Sequence, residues 1–272
     1  MAFHKFLLLI LSFFLFSCQS SSDEILPQNQ VIAKFTPELT FDWDLRSDLP
    51  TNSQYSSEVV DIDAFDNSAA LVAKLQEQGK KVIAYISVGS VESWRADASD
   101  FPASIIGNNY DGWDGEKFLD IRRIDLLAPI MRARLDMIKA KGFDAVEPDN
   151  IDSYTNNTGF DITEQDVINY CKWLAEEAHS RGLSIGQKNA SELAPQLVGT
   201  FDWILLEGAF QEGIEDEAKV YITNNKAVFA TEYDDVMTVS EFQNTVCPKA
   251  ATLRYSAIFK HRELDGYQVT CN

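Results

Sequence analysis

Eight short apolar or alternating runs, each followed by polar or helical sequence, set the tightest limit on how this chain can fold. They are Thr40–Leu45, Val59–Phe65, Lys81–Val88, Phe143–Glu147, Leu183–Gln187, Phe201–Leu206, Ala227–Thr231 and Tyr255–Phe259. Between several of them apolar residues recur at helical spacing. Leu71, Val72 and Leu75 precede Gly79; Leu127, Ile130, Met131, Leu135 and Ile138 precede Gly142; Val167, Cys171, Leu174 and Ala178 precede Gly182. A glycine at each of those places suits the left-handed residue that ends a helix. Thr163 with Asp166 three residues on predicts the N-cap of the third helix. Strands that alternate with helices over this length predict an α/β fold, a single (β/α)8 TIM barrel of typical size. An open doubly wound sheet is the alternative, because counting strands does not prove closure. Residues 89–125, rich in Trp, Asp and Gly, read as one long loop, and loops of that length in a compact domain carry function.

The predicted strands end in acids. Asp61 and Asp63 finish the second; Glu147, Asp149 and Asn150 finish the fourth; Gln187, Lys188 and Asn189 finish the fifth. Glu207 closes the sixth and Glu232-Tyr233 the seventh, while Glu92, Trp94 and Arg95 follow the third. In a barrel these ends meet on one face, where active sites sit. Carboxyls gathered in one concave site repel, and some are pushed toward the protonated form. One protonated acid beside one ionised carboxylate is the equipment of glycoside hydrolysis.

The charge balance narrows the partners. Lys and Arg number 23 against 42 Asp and Glu, a net charge of −19. Nucleic acid needs clustered cations, so it is excluded as a partner. A neutral or cationic ligand is permitted.

The first 30 residues read as targeting sequence. Phe6–Phe16 is apolar apart from Ser12, too short to span a bilayer but suited to a secretory signal peptide. Leu15-Phe16-Ser17-Cys18 resembles a bacterial lipobox, which implies cleavage before Cys18 and lipidation of its thiol. Residues 1–17 are then signal peptide, 18–32 a polar flexible tether and 33–272 the barrel. Cleavage there leaves 255 of the 272 residues, with 22 basic against 42 acidic. The expectation is an exported monomer at the bacterial cell envelope that meets the membrane through its lipid alone. An oxidising compartment would permit Cys247 and Cys271 to pair, and Cys171 reads as a buried small hydrophobe.

Several motifs carry a family resemblance. Val82–Arg95, Gly112-Trp113-Asp114-Gly115-Glu116 with Leu119-Asp120-Ile121-Arg122, and Gly142–Asn150 are similar to glycoside hydrolase family 114. Lys188-Asn189, Glu207 and Glu232-Tyr233 continue the pattern in order. The resemblance implies a (β/α)8 barrel, endo-hydrolysis of α-1,4-linked galactosamine polymers that are partly deacetylated and cationic, and no cofactor. It places the two catalytic acids at Asp149 and Glu207. The chain departs from the family after the second acid, with Gly208-Ala209 where Gln-Cys is common.

The roles follow in part from chemistry. Asp149, in a polar turn, is expected to be the nucleophile. Glu207, at the end of an apolar strand, is expected to have its pKa raised and to act as general acid and base. Trp43, Tyr85, Trp94, Trp113, Tyr154 and Tyr233 are candidate sugar platforms. Asp63, Glu92, Glu147 and Glu232 are expected to bind an ammonium group or hold the catalytic pair, and Lys188 to neutralise the cluster. No metal site is expected: His179 sits in a helical last turn, where imidazolium suits the dipole. A calcium site around Asp149, Asn150, Asp152 and Asn156 lacks the EF-hand spacing. Two other readings stay open: a carbohydrate-binding lipoprotein without turnover on the same barrel, and a barrel hydrolase for another glycan.

Overall fold

Strands β1 (Phe41–Asp44), β2 (Val59–Asp63) and β3 (Lys81–Ser87) begin the sheet in the computed structural model, which describes Met1 and residues 32–271. The order continues with strands at Ser90–Glu92 (β4), Ile106–Asn109 (β5) and Glu116–Leu119 (β6), then β7 (Ala145–Asp149), β8 (Ser184–Lys188) and β9 (Trp203–Glu207). β10 (Val228–Tyr233), β11 (Ser256–Lys260) and a two-residue β12 (Val269–Thr270) complete the chain. The expected signal peptide, Cys18 and nearly all of the tether lie outside the described residues. Among the described residues no helix is long and apolar enough to cross a membrane.

The main sheet runs β1-β2-β3-β7-β8-β9-β10-β11-β12. Its first eight strands pair in parallel and β12 lies antiparallel on β11. These eight are the eight predicted runs, each displaced by no more than two residues at either end. The sheet curls into a (β/α)8 barrel. Across the seam Ser256 Oγ donates to the Leu39 carbonyl, and Gln268 Nε2 donates to that of Phe41 at 3.1 Å.

Two apolar layers follow from strand alternation. Inward positions Phe41, Trp43, Val59, Ile83, Ala145, Trp203, Leu205, Phe229 and Ile258 fill the barrel. Outward positions such as Val60, Val82, Val146, Ile185 and Ile204 pack on the helices. Gly186 has no side chain because the Trp203 indole occupies that space; a Cβ there would lie 2.5 Å from the ring.

The helices form where the periodicity places them. α1 (Ala69–Glu77) is capped by Ser68, α2 spans Ile124–Lys141, and α3 (Glu164–Ser180) opens with the full Thr163–Asp166 capping box. Gly79, Gly142 and Gly182 all hold positive φ just beyond the helix ends. The expected loop over 89–125 is instead organised: β4, β6 and β5 form a small antiparallel sheet beside the barrel mouth. Its strands are three or four residues long with only one or two apolar residues each, so no apolar run marks them. Cys247 and Cys271 are joined in a disulfide, and Cys171 is buried in α3 as expected.

Candidate active site

Alternation along the strands aims Asp63, Tyr85, Asp149, Lys188, Glu207 and Tyr233 into the mouth at the carboxyl ends. There they line a cavity of about 520 Å³ that also includes Trp43, Glu92, Trp94 and Trp113. A second cavity of about 420 Å³ adjoins it and shares Asp152, Asn189, Glu207, Tyr233 and Arg262.

Lys188 is the centre of the arrangement. Its ammonium lies 2.9 Å from Asp149 Oδ1, 3.1 Å from Glu207 Oε2 and 2.9 Å from Glu147 Oε1, and its side chain is 2% exposed. The Trp43 ring lies 4.7 Å below it. Burial works against the ammonium, but the surrounding carboxylates overcome this and hold its pKa well above the ordinary lysine value.

The two expected acids are held in matching ways. Asp149 accepts from the Tyr85 hydroxyl at 3.0 Å, from Lys188 and from the Asn150 backbone N–H at 2.9 Å. Glu207 accepts from the Tyr233 hydroxyl, from Lys188, and from Asn189 Nδ2 at 2.9 Å, while Asn189 Oδ1 takes the Glu207 backbone N–H. Burial alone would raise Glu207, but Lys188, Tyr233 and Asn189 together bring it below the usual carboxylate range. The expectation of a raised Glu207 is therefore overturned: the apolar strand beneath it matters less than three donors at its tip.

The turn behind Asp149 is built by the small sheet. Asn150, at φ 65°, packs so closely on Gly89 that a Cβ there would lie 1.7 Å from the Asn150 carbonyl oxygen. The Asn150 amide donates to Ser87 Oγ at 2.9 Å, Ser90 Oγ at 3.1 Å and Glu116 Oε1 at 3.0 Å. Burial pushes Glu116 up to about 7, and pushes Asp152, which faces both cavities near Asp149, up to about 6.

Other expected contacts move. Asp63 and Glu92 line the cavity but are clamped by Arg95, whose Nη1 is 3.1 Å from Asp63 Oδ1 and whose Nε is 2.9 Å from Glu92 Oε2. Neither carboxylate is free to take a sugar ammonium. Glu147 is wholly buried beneath Lys188 and does not reach the cavity. Glu232 points outward from β10, where it accepts the Phe210 N–H at 2.9 Å. Tyr154 bonds Glu192 on the surface and lines neither cavity. Among the expected platforms, the face of Trp43 is covered by Lys188 and that of Tyr233 by Arg262, 3.7 Å from its centroid. The Tyr85 hydroxyl is committed to Asp149. Trp94 and Trp113, 53% and 52% exposed at the rim, keep open faces.

Sequence reasoning missed Glu116, Asp152 and Arg262 as lining residues. Glu116 lies within a quoted motif, and Asp152 follows Asp149 by three residues. Arg262 comes after β11, beyond the stretch that carried the resemblance. Gly208, where the family pattern is broken, sits in the second cavity at φ 64°.

Comparison with known proteins agrees with this fold. The profile of glycoside-hydrolase family GH114 matches residues 24–272. A crystal structure of Aspergillus fumigatus Ega3 in complex with galactosamine superposes with a TM-score of 0.83 at 34% identity, covering 89% of this chain and 98% of that one. The glycoside hydrolase domain of PelA from Pseudomonas aeruginosa shares the fold at TM-score 0.66 and 16% identity, covering 85% and 98%. An uncharacterized protein of Deinococcus radiodurans is 29% identical over 151 residues, 50% of this chain. That match spans about half, 47%, of the relative's own length.

Proposed function

Because the chain belongs to glycoside hydrolase family GH114, we propose that it is an endo-acting hydrolase of α-1,4-linked galactosamine and N-acetylgalactosamine polysaccharide, working through Asp149 and Glu207. One observation carries the reading. The two carboxyls share the Lys188 ammonium where two cavities meet, so a polymer lying across the mouth keeps sugar units on both sides of the bond that breaks. The relative with galactosamine bound, 34% identical over most of the chain, supports the sugar class. An acid-rich mouth suits cationic, partly deacetylated units.

The geometry also favours one stereochemical course. The facing oxygens of Asp149 and Glu207 lie within about 6 Å of each other, the sum of their distances to the shared nitrogen, a closeness that accommodates the roughly 5–5.5 Å of a retaining pair. Asp149 then attacks the anomeric carbon as the glycosidic C–O bond breaks, and Glu207 gives its proton to the leaving oxygen. Water, deprotonated by Glu207, next attacks the glycosyl–Asp149 ester and releases a sugar with its configuration retained. Glu207 is held below the usual range in the free enzyme, so the first step draws on its protonated fraction. Trp94 and Trp113 offer C–H faces of the sugars a surface at the rim.

Export on a lipid anchor at Cys18, as a monomer, completes the reading. It rests on the lipobox-like sequence, and the Cys247–Cys271 disulfide suits an oxidising compartment. Radiolabelled palmitate should enter the wild type and not Cys18→Ser.

The test is reducing-end release and fragment masses from acetylated and deacetylated galactosaminans. A ladder of internal fragments is expected early, and Asp149→Asn or Glu207→Gln should abolish it. Binding without product would refute the enzymatic reading.

A further inference from the structure

Beneath the mouth, the barrel interior holds two carboxyls that the proposed reaction does not use. Asp61 on β2 and Glu147 on β7 are both wholly buried. Both Asp61 oxygens and Glu147 Oε2 have no donor among the described residues, apart from the contact the two carboxyls make with each other. Two adjacent, wholly buried carboxylates cannot both stay ionised, because like charges repel and burial removes the water that would shield them. One proton between them satisfies an oxygen of each. Lys188 biases which keeps it: the ammonium sits 2.9 Å from Glu147 Oε1 and favours the anion there, which makes Asp61 the better proton holder of the two.

We propose that Asp61 and Glu147 form a proton-sharing carboxyl pair that anchors Lys188 from below and so positions Asp149 and Glu207 above. The proposal rests on the reading of those two as the reacting groups. Asp61 is a positioning residue: it touches neither the cavity nor any reacting atom.

The groups facing the pair are few. β1 contributes Trp43, register partner of Asp61, whose indole N–H also lacks a partner and so does not donate to it. β3 contributes Ile83 beside Asp61 and Tyr85 one layer above, beside Glu147. β7 adds Asp149, β8 adds Lys188, and Glu207 of β9 acts through Lys188. Burial pushes Asp61 well up and Glu147 to about 7, in keeping with a shared proton. Loss of that proton at alkaline pH would leave Asp61 competing for the Lys188 ammonium and loosen its hold on the two acids.

Infrared spectroscopy tests this without substrate, so its failure is separate from failure of the proposed function. In protein labelled with carboxyl-¹³C aspartate, a protonated-aspartate C=O band should persist at about pH 8, far above the ordinary range for Asp. Asp152, raised only to about 6, is ionised by then. Asp61→Asn should remove the band yet keep a donor toward Glu147, so kcat stays within roughly tenfold and its alkaline limb moves to higher pH or disappears. Asp61→Leu lacks the donor and should lower kcat by more than about a hundredfold, with a much smaller change in KM. Absence of the band in the wild type at about pH 8 would overturn the proposal, as would equal kcat values and unshifted alkaline limbs in the two variants.

Discussion

Replacing Lys188 by methionine removes one buried charge at nearly constant volume, and the structure sets the size of the effect. The ammonium touches Glu147 and Asp149 at 2.9 Å and Glu207 at 3.1 Å. At an effective dielectric of about 20, each contact is about 5–6 kcal/mol of bare attraction, most of which offsets the desolvation of the groups. Removing one partner from such a cluster, and leaving the others uncompensated, costs about 3–5 kcal/mol. That is a large share of the roughly 5–15 kcal/mol that holds a domain folded. The loss depends on pH with a definite sign. Without Lys188 the buried carboxylates lose their counter-charge, so the penalty is full at alkaline pH and is relieved as they protonate on the acid side. Urea unfolding of wild type and Lys188→Met, at about pH 8 and about pH 5, reads this directly. The expected deficit is about 3–5 kcal/mol at the higher pH and at least about 1 kcal/mol smaller at the lower. A deficit under about 1 kcal/mol at pH 8, or one equal at both pH values, would refute the account of the cluster.

The wild type should itself be most stable at about pH 4–4.5, between the loss of the lowered carboxylates below it and of the raised ones above it. Asp152 is raised to about 6 and Glu116, Glu147 and Glu232 to about 7, so their contributions are full below about pH 4 and are lost as pH climbs from there to those values. Glu207, Asp44 and Glu177 are lowered, so theirs are lost as pH falls below about 4; a urea midpoint that peaks above pH 7 contradicts the assignment. Gly89→Ala drives a methyl into the Asn150 carbonyl, 1.7 Å away, and must shift the turn that carries Asp149. It should cost about 1–3 kcal/mol in stability and at least roughly tenfold in kcat, and an unchanged kcat would show that the turn is not positioned by this contact. Trp94→Ala should raise KM on long polymer by roughly three- to tenfold while lowering kcat less; an equal loss in both would place Trp94 in the chemistry rather than at the rim.

The barrel strands were legible because their signal is local: each is a run of apolar residues long enough to cross the barrel wall. The ends were less so. The apolar run at Phe143–Glu147 stops before Asp149, yet Asp149 pairs with Ser87 and is itself the last residue of β7. The same holds for Glu207 in β9. The small sheet by the mouth was invisible, since Ser90–Glu92 and Ile106–Asn109 are short and each holds a single apolar residue, too few to mark a strand. Acids converging on one face could be read from strand order, but their pairing could not. Arg95 takes Asp63 and Glu92 out of play, and Lys188 of β8 joins residues from β7 and β9. Those partnerships depend on inward stagger and side-chain reach, which spacing along the chain does not encode. The same lack of tertiary information misled the reading of Glu207: its strand neighbours are apolar, while the donors that hold it ionised come from β8 and β10.

The central claim is that Asp149 and Glu207, joined by Lys188, cut an α-linked galactosamine chain with retention. Proton NMR of the anomeric signals during the first turnovers on a defined galactosamine oligomer tests it most directly. The α-anomer of the new reducing end should appear first and the β-anomer only later by mutarotation, with no signal from Asp149→Asn or Glu207→Gln. First appearance of the β-anomer, or new reducing ends from either variant, would contradict the account.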